Sequence, residues 1–562
     1  MSIVRSQYSA TVPPTDLLSY IFGPPYKDEG AWPSSEPILQ LSKESSGGCA
    51  CGYSIDQIKS LVKRLGNGLH HLGARGKPVM IYGEANIHFA IAVLGILAAG
   101  AEVNILASGP AEYLVSRLRQ LKCETVLCSP EQKDAEAVLD AAGVLGIPRE
   151  RLFIVDESLC GSETLEGKVK HWSYLLDTPG GDLYEWPRLS PDEAKSTTAV
   201  LLYTSGTTGT PKLACRTHYG LIGNIAQTLS HYTLRPRCNE IVSCNYKFAG
   251  MGFLLLGIMI PLKARYKSIF PSGLDLITFT ATVERFKPTW VMAPPHLMRA
   301  TLAVPTTLDF GSVNHVLTGG SIVSWELVDE WQRRFGSQVQ STYGMTEAGF
   351  FAIPDPNEPV QDATTGILLP NVEAKILDES GNVLPPNKKG DICIRTPYVM
   401  KGYLDEPMQT AQTVEEDGWI KTGDIGWINE RGMVYVVGRR KDLFKFRGDQ
   451  VTGSEIETAV ARHPSVRDVA VIPVVLPGDE EPCPRGYIVK RDGSSLSIEE
   501  LMSWMTINYP PRMQLTGGAA FIDAIPISSI GNSKVDRRKL SELAGKEFQL
   551  ACAKKGNSQV EA

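Results

Sequence analysis

The chain has 562 residues, 43% of them hydrophobic and 21% charged, which predicts more than one folding unit and excludes both a small stapled scaffold and a disordered chain. Lys and Arg number 56 against 62 for Asp and Glu, a formal charge of −6, which is weak and of the wrong sign for a general binder of nucleic acid or anionic membrane. The longest apolar runs, Phe89 to Ala101 and Gly250 to Leu262, have 13 residues each; a bilayer takes about 20, so both read as buried elements and no transmembrane segment is expected.

Residues 1 to 37 are Pro-rich and read as an irregular leader laid over the surface, outside the core. Met1 to Leu18 lacks a basic start followed by an apolar block, and the chain ends without a Ser-Lys-Leu address. The 11 cysteines form no CxxC pair and no zinc-like spacing with His, so they are expected as reduced thiols in a cytoplasmic protein. Ser54 and Gln57 form a capping box ahead of Ile55, Ile58, Leu61, Val62, Leu65, Leu69 and Leu72, which predicts an amphipathic helix ended by Gly73. Short β-rich runs at Pro78 to Tyr82, Thr125 to Cys128 and Trp290 to Ala293 alternate with helical stretches, the pattern of parallel sheets flanked by helices. The class is α/β. A polar connector, residues 178 to 192, leads into the most informative segment.

An apolar strand, Ala199 to Tyr203, runs into Thr204-Ser205-Gly206-Thr207-Thr208-Gly209-Thr210-Pro211-Lys212. Glycines let backbone N–H groups crowd around an anion, hydroxyls donate further hydrogen bonds, and the Lys adds a compact positive charge, so the loop is built to cradle polyphosphate. It is not a Walker A loop, because Pro211 precedes the Lys and Leu213 follows it.

This segment resembles the signature of the adenylate-forming (AMP-binding) superfamily, which includes acyl-CoA synthetases and coumarate-CoA ligases. Further segments fall in that family's order: Ser341-Thr342-Tyr343-Gly344-Met345-Thr346-Glu347, Gly402-Tyr403, Trp419 to Asp424, Gly438 to Asp442, and Gly531 to Arg537. The resemblance spans about residues 50 to 540. It implies a large multi-sheet N-terminal domain, residues 1–440, and a small mobile α+β C-terminal domain, residues 441–562.

Activating a carboxylate with ATP requires a site for three phosphates, Mg²⁺ and adenosine. The loop Thr204 to Lys212 suits the phosphates. A hydroxyl beside a carboxylate suits a phosphate contact next to a hard cation, and the resemblance implies Thr346 as that contact and Glu347 as the metal ligand. It further implies that Tyr343 lies against the adenine, with Gly319, Gly320 and Ser321 on its other face. Asp424 can accept both ribose hydroxyls, and Arg439 joins it. By resemblance Lys441 is the hinge, Lys445 and Gly448 face coenzyme A, and Lys534 bridges the incoming carboxylate and the α-phosphate, where an ammonium offsets repulsion between two anions.

The acid pocket is expected around Tyr246, Lys247, Phe248 and Gly250, Pro294 to His296, and Gly319 to Ser321. Here the chain departs from the family. Tyr246-Lys247-Phe248 replaces a Phe-His pair, Ser341 a frequent Gln, and Gly453 a frequent Pro. Lys247 would repel an ammonium, which argues against an α-amino acid; it either pairs with a second anionic group of the substrate or extends to solvent. The expected reaction joins a small-molecule carboxylic acid to coenzyme A through acyl-AMP. Only 22 residues follow Leu540, too few for an attached carrier domain of roughly 50 residues, so a separate carrier protein is the alternative acceptor. A catalytically inactive nucleotide-binding scaffold is the alternative from another class.

Overall fold

The computed structural model describes residues 3–26, 32–42, 52–84, 86–156, 169–204, 211–231, 240–304, 308–355, 358, 360, 362–446, 449–476, 481–526 and 535–558. Three sheets make up the larger part. In the first, of eight strands, Pro78–Tyr82 is central, with parallel neighbours Glu102–Leu106 and Thr125–Cys128, and the antiparallel strand Lys212–Thr217 lies towards one edge. The second has nine strands, with Ile241–Cys244, Trp290–Met292, His315–Gly319 and Gln338–Met345 parallel in succession. The third is a five-stranded antiparallel sheet that includes Trp419–Ile428 and Val434–Arg439.

The capping box at Ser54 and Gln57 forms, and the helix it opens is Ile55–His71. That helix packs its apolar stripe on Ile87–Ala98, every residue of which is buried, as an all-round apolar helix must be. The second apolar run becomes Phe253–Met259, wound as a π-helix, followed by Ile260–Ala264.

The leader is a correction. Asp16 caps a helix, Leu17–Phe22, whose Leu17, Leu18, Tyr20 and Ile21 are buried in the main core. Val4–Arg5 and Leu39–Leu41 join sheets. Two cations anchor the end of that helix: Lys263 donates to Tyr20 O and Pro24 O at 2.8 and 2.7 Å, and Arg265 to Ile21 O and Gly23 O. They satisfy carbonyls that have no partner within a helix's last turn. The proline content hid four apolar residues at helical spacing.

The chain after residue 450 builds its own apolar core, which includes Ile456, Val471, Tyr487, Leu501 and Leu540. It contains the three-stranded sheet Val466–Val474, Cys483–Lys490, Ala519–Phe521 and the helices Gly453–Ala461, Ile498–Asn508 and Arg537–Ser558. This smaller α+β unit meets the larger one through ion pairs: Arg462 with Glu326 at 2.6 Å, Lys389 with Glu455 at 2.8 Å, and Arg491 with Glu330 at 3.8 Å.

Candidate active site

Adjacent strands of the five-stranded sheet set Asp424 opposite Arg439, and their side chains pair at 2.9 Å, Oδ1 to Nε. Arg439 also donates from Nη1 to Thr422 O at 3.1 Å, and the Tyr343 hydroxyl donates to Asp424 Oδ2 at 2.9 Å. Burial opposes charge on Arg439, but Asp424, Tyr343, Glu347 and Asp442 together outweigh it and leave the guanidinium more basic than usual. Burial, and then Asp424, push the Tyr343 phenol well up, so it stays a donor. These three residues line a cavity of about 470 Å³, together with Gly320, Ser321, Ser341, Thr342 and Gly344.

Gly319 ends the strand His315–Gly319 beside Thr342, whose hydroxyl donates to Thr318 O at 3.1 Å. A Cβ at Gly319 would stand 2.4 Å from Thr342 Oγ1 and 2.8 Å from Thr342 O, so the two strand ends approach only because that side chain is missing. Gly320 follows at φ +80°, turning the chain out of the sheet.

At the other end, Thr204 closes the strand Thr198–Thr204 and pairs in register with Lys212. Ser205, Gly206, Thr207, Thr208, Gly209 and Thr210 lie outside the described residues; Pro211 precedes Lys212. Lys212 Nζ stands 5.0 Å from the ring centre of Tyr403, and the Tyr403 hydroxyl donates to Glu347 Oε1 at 2.6 Å. Burial, then Glu347, raise the Tyr403 phenol. Met345 ends the strand Gln338–Met345, Thr346, Glu347 and Ala348 form the turn to Gly349–Ile353, and Glu347 is buried. Among the described residues no group of three or more His, Cys, Asp and Glu is placed to hold a metal alone. A lone buried carboxylate beside a hydroxyl does fit Mg²⁺, which is usually held by one or two carboxylates plus substrate phosphates and water.

The expected acid pocket is aromatic. Tyr246 and Phe248 are buried, and Phe248 packs on Phe89 and on Phe253 at 5.1 Å each. Gly250 N–H donates to Lys247 O at 3.2 Å in a turn that leads into the π-helix; such segments often mark functional sites. Burial lowers the pKa of the half-buried Lys247. His296 lines the same cavity as Tyr343, and burial, then the charges of Lys247 and Arg299, bring it down to about 4. His296 therefore feels both cations, and Arg299 lines the same cavity.

From the smaller unit, Val535, Asp536 and Glu457 line the cavity opposite Tyr343. Arg537 fixes this wall, donating to Glu457 Oε1 at 2.8 Å and Val471 O at 2.6 Å. Lys534 and Gly448 lie outside the described residues, as does the side chain of Lys445. Lys441 is exposed in a single 3₁₀ turn, Arg440–Asp442, between the two units. Gly453 opens its helix where a Cβ would meet Val471 O at 2.6 Å, a physical reason for glycine there.

Sequence reasoning missed two residues. Tyr403 stood in a quoted segment without a role, although it touches Glu347 from 56 positions away. Arg216 carried no signal: it is buried on the strand Lys212–Thr217, and its guanidinium donates to Thr346 O at 2.7 Å.

A multi-sheet α/β unit and a small α+β unit facing a shared cavity, with a carboxylate, an arginine and a tyrosine coupled inside it, are features of an adenylate-forming enzyme. The chain belongs to that family: it matches the AMP-binding enzyme family over residues 50–404 and the AMP-binding enzyme C-terminal domain over residues 455–532. It is 30% identical to the phenylacetyl-CoA ligase epaB of Aspergillus niger, over 96% of this chain and 98% of that one. With the 4-coumarate–CoA ligase of Vanilla planifolia it shares 29% identity over 89% and 91% of the two chains. The fold is similar to that of the ATP-bound MatB from Rhodopseudomonas palustris, with a TM-score of 0.80, 22% identity and coverage of 95% and 99%.

Proposed function

We infer that this chain activates a carboxylic acid with ATP and passes the acyl group to coenzyme A. What carries the reading is the coupled set Tyr343, Asp424 and Arg439 on the shared cavity, in a chain similar over nearly its whole length to CoA ligases.

In the first half-reaction a carboxylate oxygen attacks the α-phosphorus as the bond to pyrophosphate breaks, giving acyl-AMP. Asp424, held by Arg439, accepts the ribose hydroxyls, and Tyr343 with Gly319, Gly320 and Ser321 encloses the adenine. The loop Thr204 to Lys212 and the Thr346 hydroxyl hold the phosphates. Glu347 would hold Mg²⁺, which neutralises phosphate charge when bound. Lys534 bridges carboxylate and α-phosphate; its neighbours Val535 and Asp536 on the cavity wall support that role. In the second half-reaction the coenzyme A thiolate attacks the acyl carbon and AMP leaves as its bond to that carbon breaks.

We place the domain boundary at Lys441, with residues 1–440 and 441–562 as the two domains; the turn there and the separate core after residue 450 support this. Lys445 and Gly448 then face coenzyme A. The free, buried thiols of Cys123, Cys128, Cys215, Cys244 and Cys393 fit a reducing cytoplasm. Among the described residues no helix is long and apolar enough to cross a membrane.

Phe89, Phe248 and Phe253 suit an acid with an apolar, aromatic body. The test is a panel of phenylacetate, 4-coumarate, alkanoates and dicarboxylates with ATP, Mg²⁺ and coenzyme A, read by mass spectrometry. An aryl acid that yields AMP and an acyl-CoA supports the reading, and ATP hydrolysis that no acid accelerates overturns it. Lys247→Met, run on the same panel, reports on the cation. A change in the ratio of kcat/KM for dicarboxylates over aryl acids places Lys247 against the substrate, and an unmoved ratio makes it a solvated residue.

A further inference from the structure

Arg216 is a fully buried cation that, among the described residues, forms no ion pair within 4 Å. Its donors go to neutral acceptors instead: Nη1 to Thr346 O at 2.7 Å, and Nη2 to Asn224 Oδ1 at 2.7 Å and Tyr398 O at 3.0 Å. Nε has no partner. Burial brings its pKa down to about 10, with the Glu347 carboxylate opposing, so the group stays charged at neutral pH. A buried charge without a contacting counter-charge costs stability, and an apolar residue would fill the space more cheaply.

The carbonyls that surround it form a pattern. Asn224 donates from Nδ2 to Ala348 O at 2.9 Å, and Gln227 from Nε2 to Phe350 O at 2.8 Å. Asn224 and Gln227 are three apart on the helix His218–Ser230 and share a face. The three acceptors are the carbonyls of residues 346, 348 and 350, every second position through the turn and into the strand Gly349–Ile353. Three side chains thus grip alternate carbonyls of the turn that carries Thr346 and Glu347. The intervening carbonyl of Glu347 accepts from Met400 N–H at 2.6 Å. Gly349, at φ +84°, admits the helix: a Cβ there would lie 2.2 Å from Asn224 Oδ1.

We propose that Arg216 is a positioning residue for adenylation: its guanidinium, with Asn224 and Gln227, fixes the backbone of the Thr346–Glu347 turn and so aims the hydroxyl and carboxylate at the phosphates. The proposal rests on the reading of Thr346 and Glu347 given above. Only the first half-reaction needs that aim, since pyrophosphate is gone before the thiol attacks.

The experiment compares Arg216→Met and Arg216→Lys with the wild-type chain, each variant checked for cooperative unfolding. Acyl-AMP formation in Arg216→Met should fall about 100-fold in kcat, the loss expected from a displacement near 1 Å. Thioester formation from supplied acyl-AMP should change little. Arg216→Lys, whose point charge lacks the planar fork that reaches several acceptors, should lose less than Met but in the same half-reaction. Independently of turnover, Mg²⁺ should enhance the binding of a fluorescent ATP analogue less in both variants than in the wild type. Equal losses in both half-reactions of a folded variant, or no loss in either, would overturn the proposal; if Arg216→Met does not fold, Arg216→Lys is read by the same criteria. Glu347→Gln, measured alongside, separates two failures. A Mg²⁺ titration that shifts in Glu347→Gln but in neither Arg216 variant removes the role of Arg216 alone. One that shifts in none of them removes the reading of the turn itself.

Discussion

The two faces of the cavity are held in opposite ways. On the large unit, groups of the nucleotide end are tied to one another: Tyr343 to Asp424 and Tyr403 to Glu347 through buried hydrogen bonds, Arg439 to the buried Asp424, and the buried Arg216 to the turn. The small unit is anchored to the large one by pairs that water reaches, such as Arg462 with Glu326, where the arginine is 52% exposed. Exposed pairs are typically worth about 0.2 to 1 kcal/mol each, whereas a buried charge stripped of its partner costs roughly 3 to 5 kcal/mol. One face is therefore pre-organised, while the other can be released and re-seated at small cost. That is what two half-reactions sharing one acyl-AMP require.

The largest break in this contrast is expected at Lys534. Lys534→Ala should reduce acyl-AMP formation by about 100-fold or more, the loss typical of removing one preorganised charge contact in the transition state. Conversion of supplied acyl-AMP to thioester should persist. Equal loss in the two assays would take Lys534 out of the first step.

Asp424→Ala should behave differently, because AMP occupies its site in both half-reactions. It also strands Arg439, so both assays should fall about 10- to 100-fold, with the KM for ATP rising. An unchanged KM would show that Asp424 does not read the ribose.

Acid should loosen the large unit. Burial brings both His88 and His218 down to about 4, while the unfolded chain takes up the same protons near pH 6.5. The unfolded state thus binds more protons between those values, and stability falls as pH drops from 6.5 towards 4, by up to about 1.4 kcal/mol per pH unit per histidine. Urea unfolding at pH 7 and pH 5 measures the slope. His218→Asn, which keeps an acceptor for Leu17 N–H, should lower it by one proton, and an unchanged slope would remove His218 from the account. The smallest effect belongs to the contact between the units. Arg462→Ala should change stability by less than about 1 kcal/mol and leave acyl-AMP formation intact, and a large loss would mean that the docking is not cheap to release.

How much of this was legible in the chain depended on range. Local signals read true: the Ser54 cap, the strand ahead of Thr204 and the 13-residue apolar runs all rest on neighbours within a few positions. Spaced segments could be recognised but not assembled; nothing in the sequence shows that Tyr403 meets Glu347, or that Arg216 meets a carbonyl 130 residues away. The leader failed for a different reason. Prolines at 13, 14, 24 and 25 bracket the helix Leu17–Phe22, and six residues are too few for periodicity to speak against them. The donors for the carbonyls at its end are Lys263 and Arg265, more than 200 positions away.

The central claim is that an acid is activated on the large unit's fixed face before any thiol takes part. Exchange of labelled pyrophosphate into ATP, measured without coenzyme A, tests it directly. Exchange that depends on a carboxylic acid and on Mg²⁺, with AMP and acyl-CoA in equal amounts once coenzyme A is added, is the predicted result. Release of ADP and phosphate, or exchange indifferent to any acid, would contradict it.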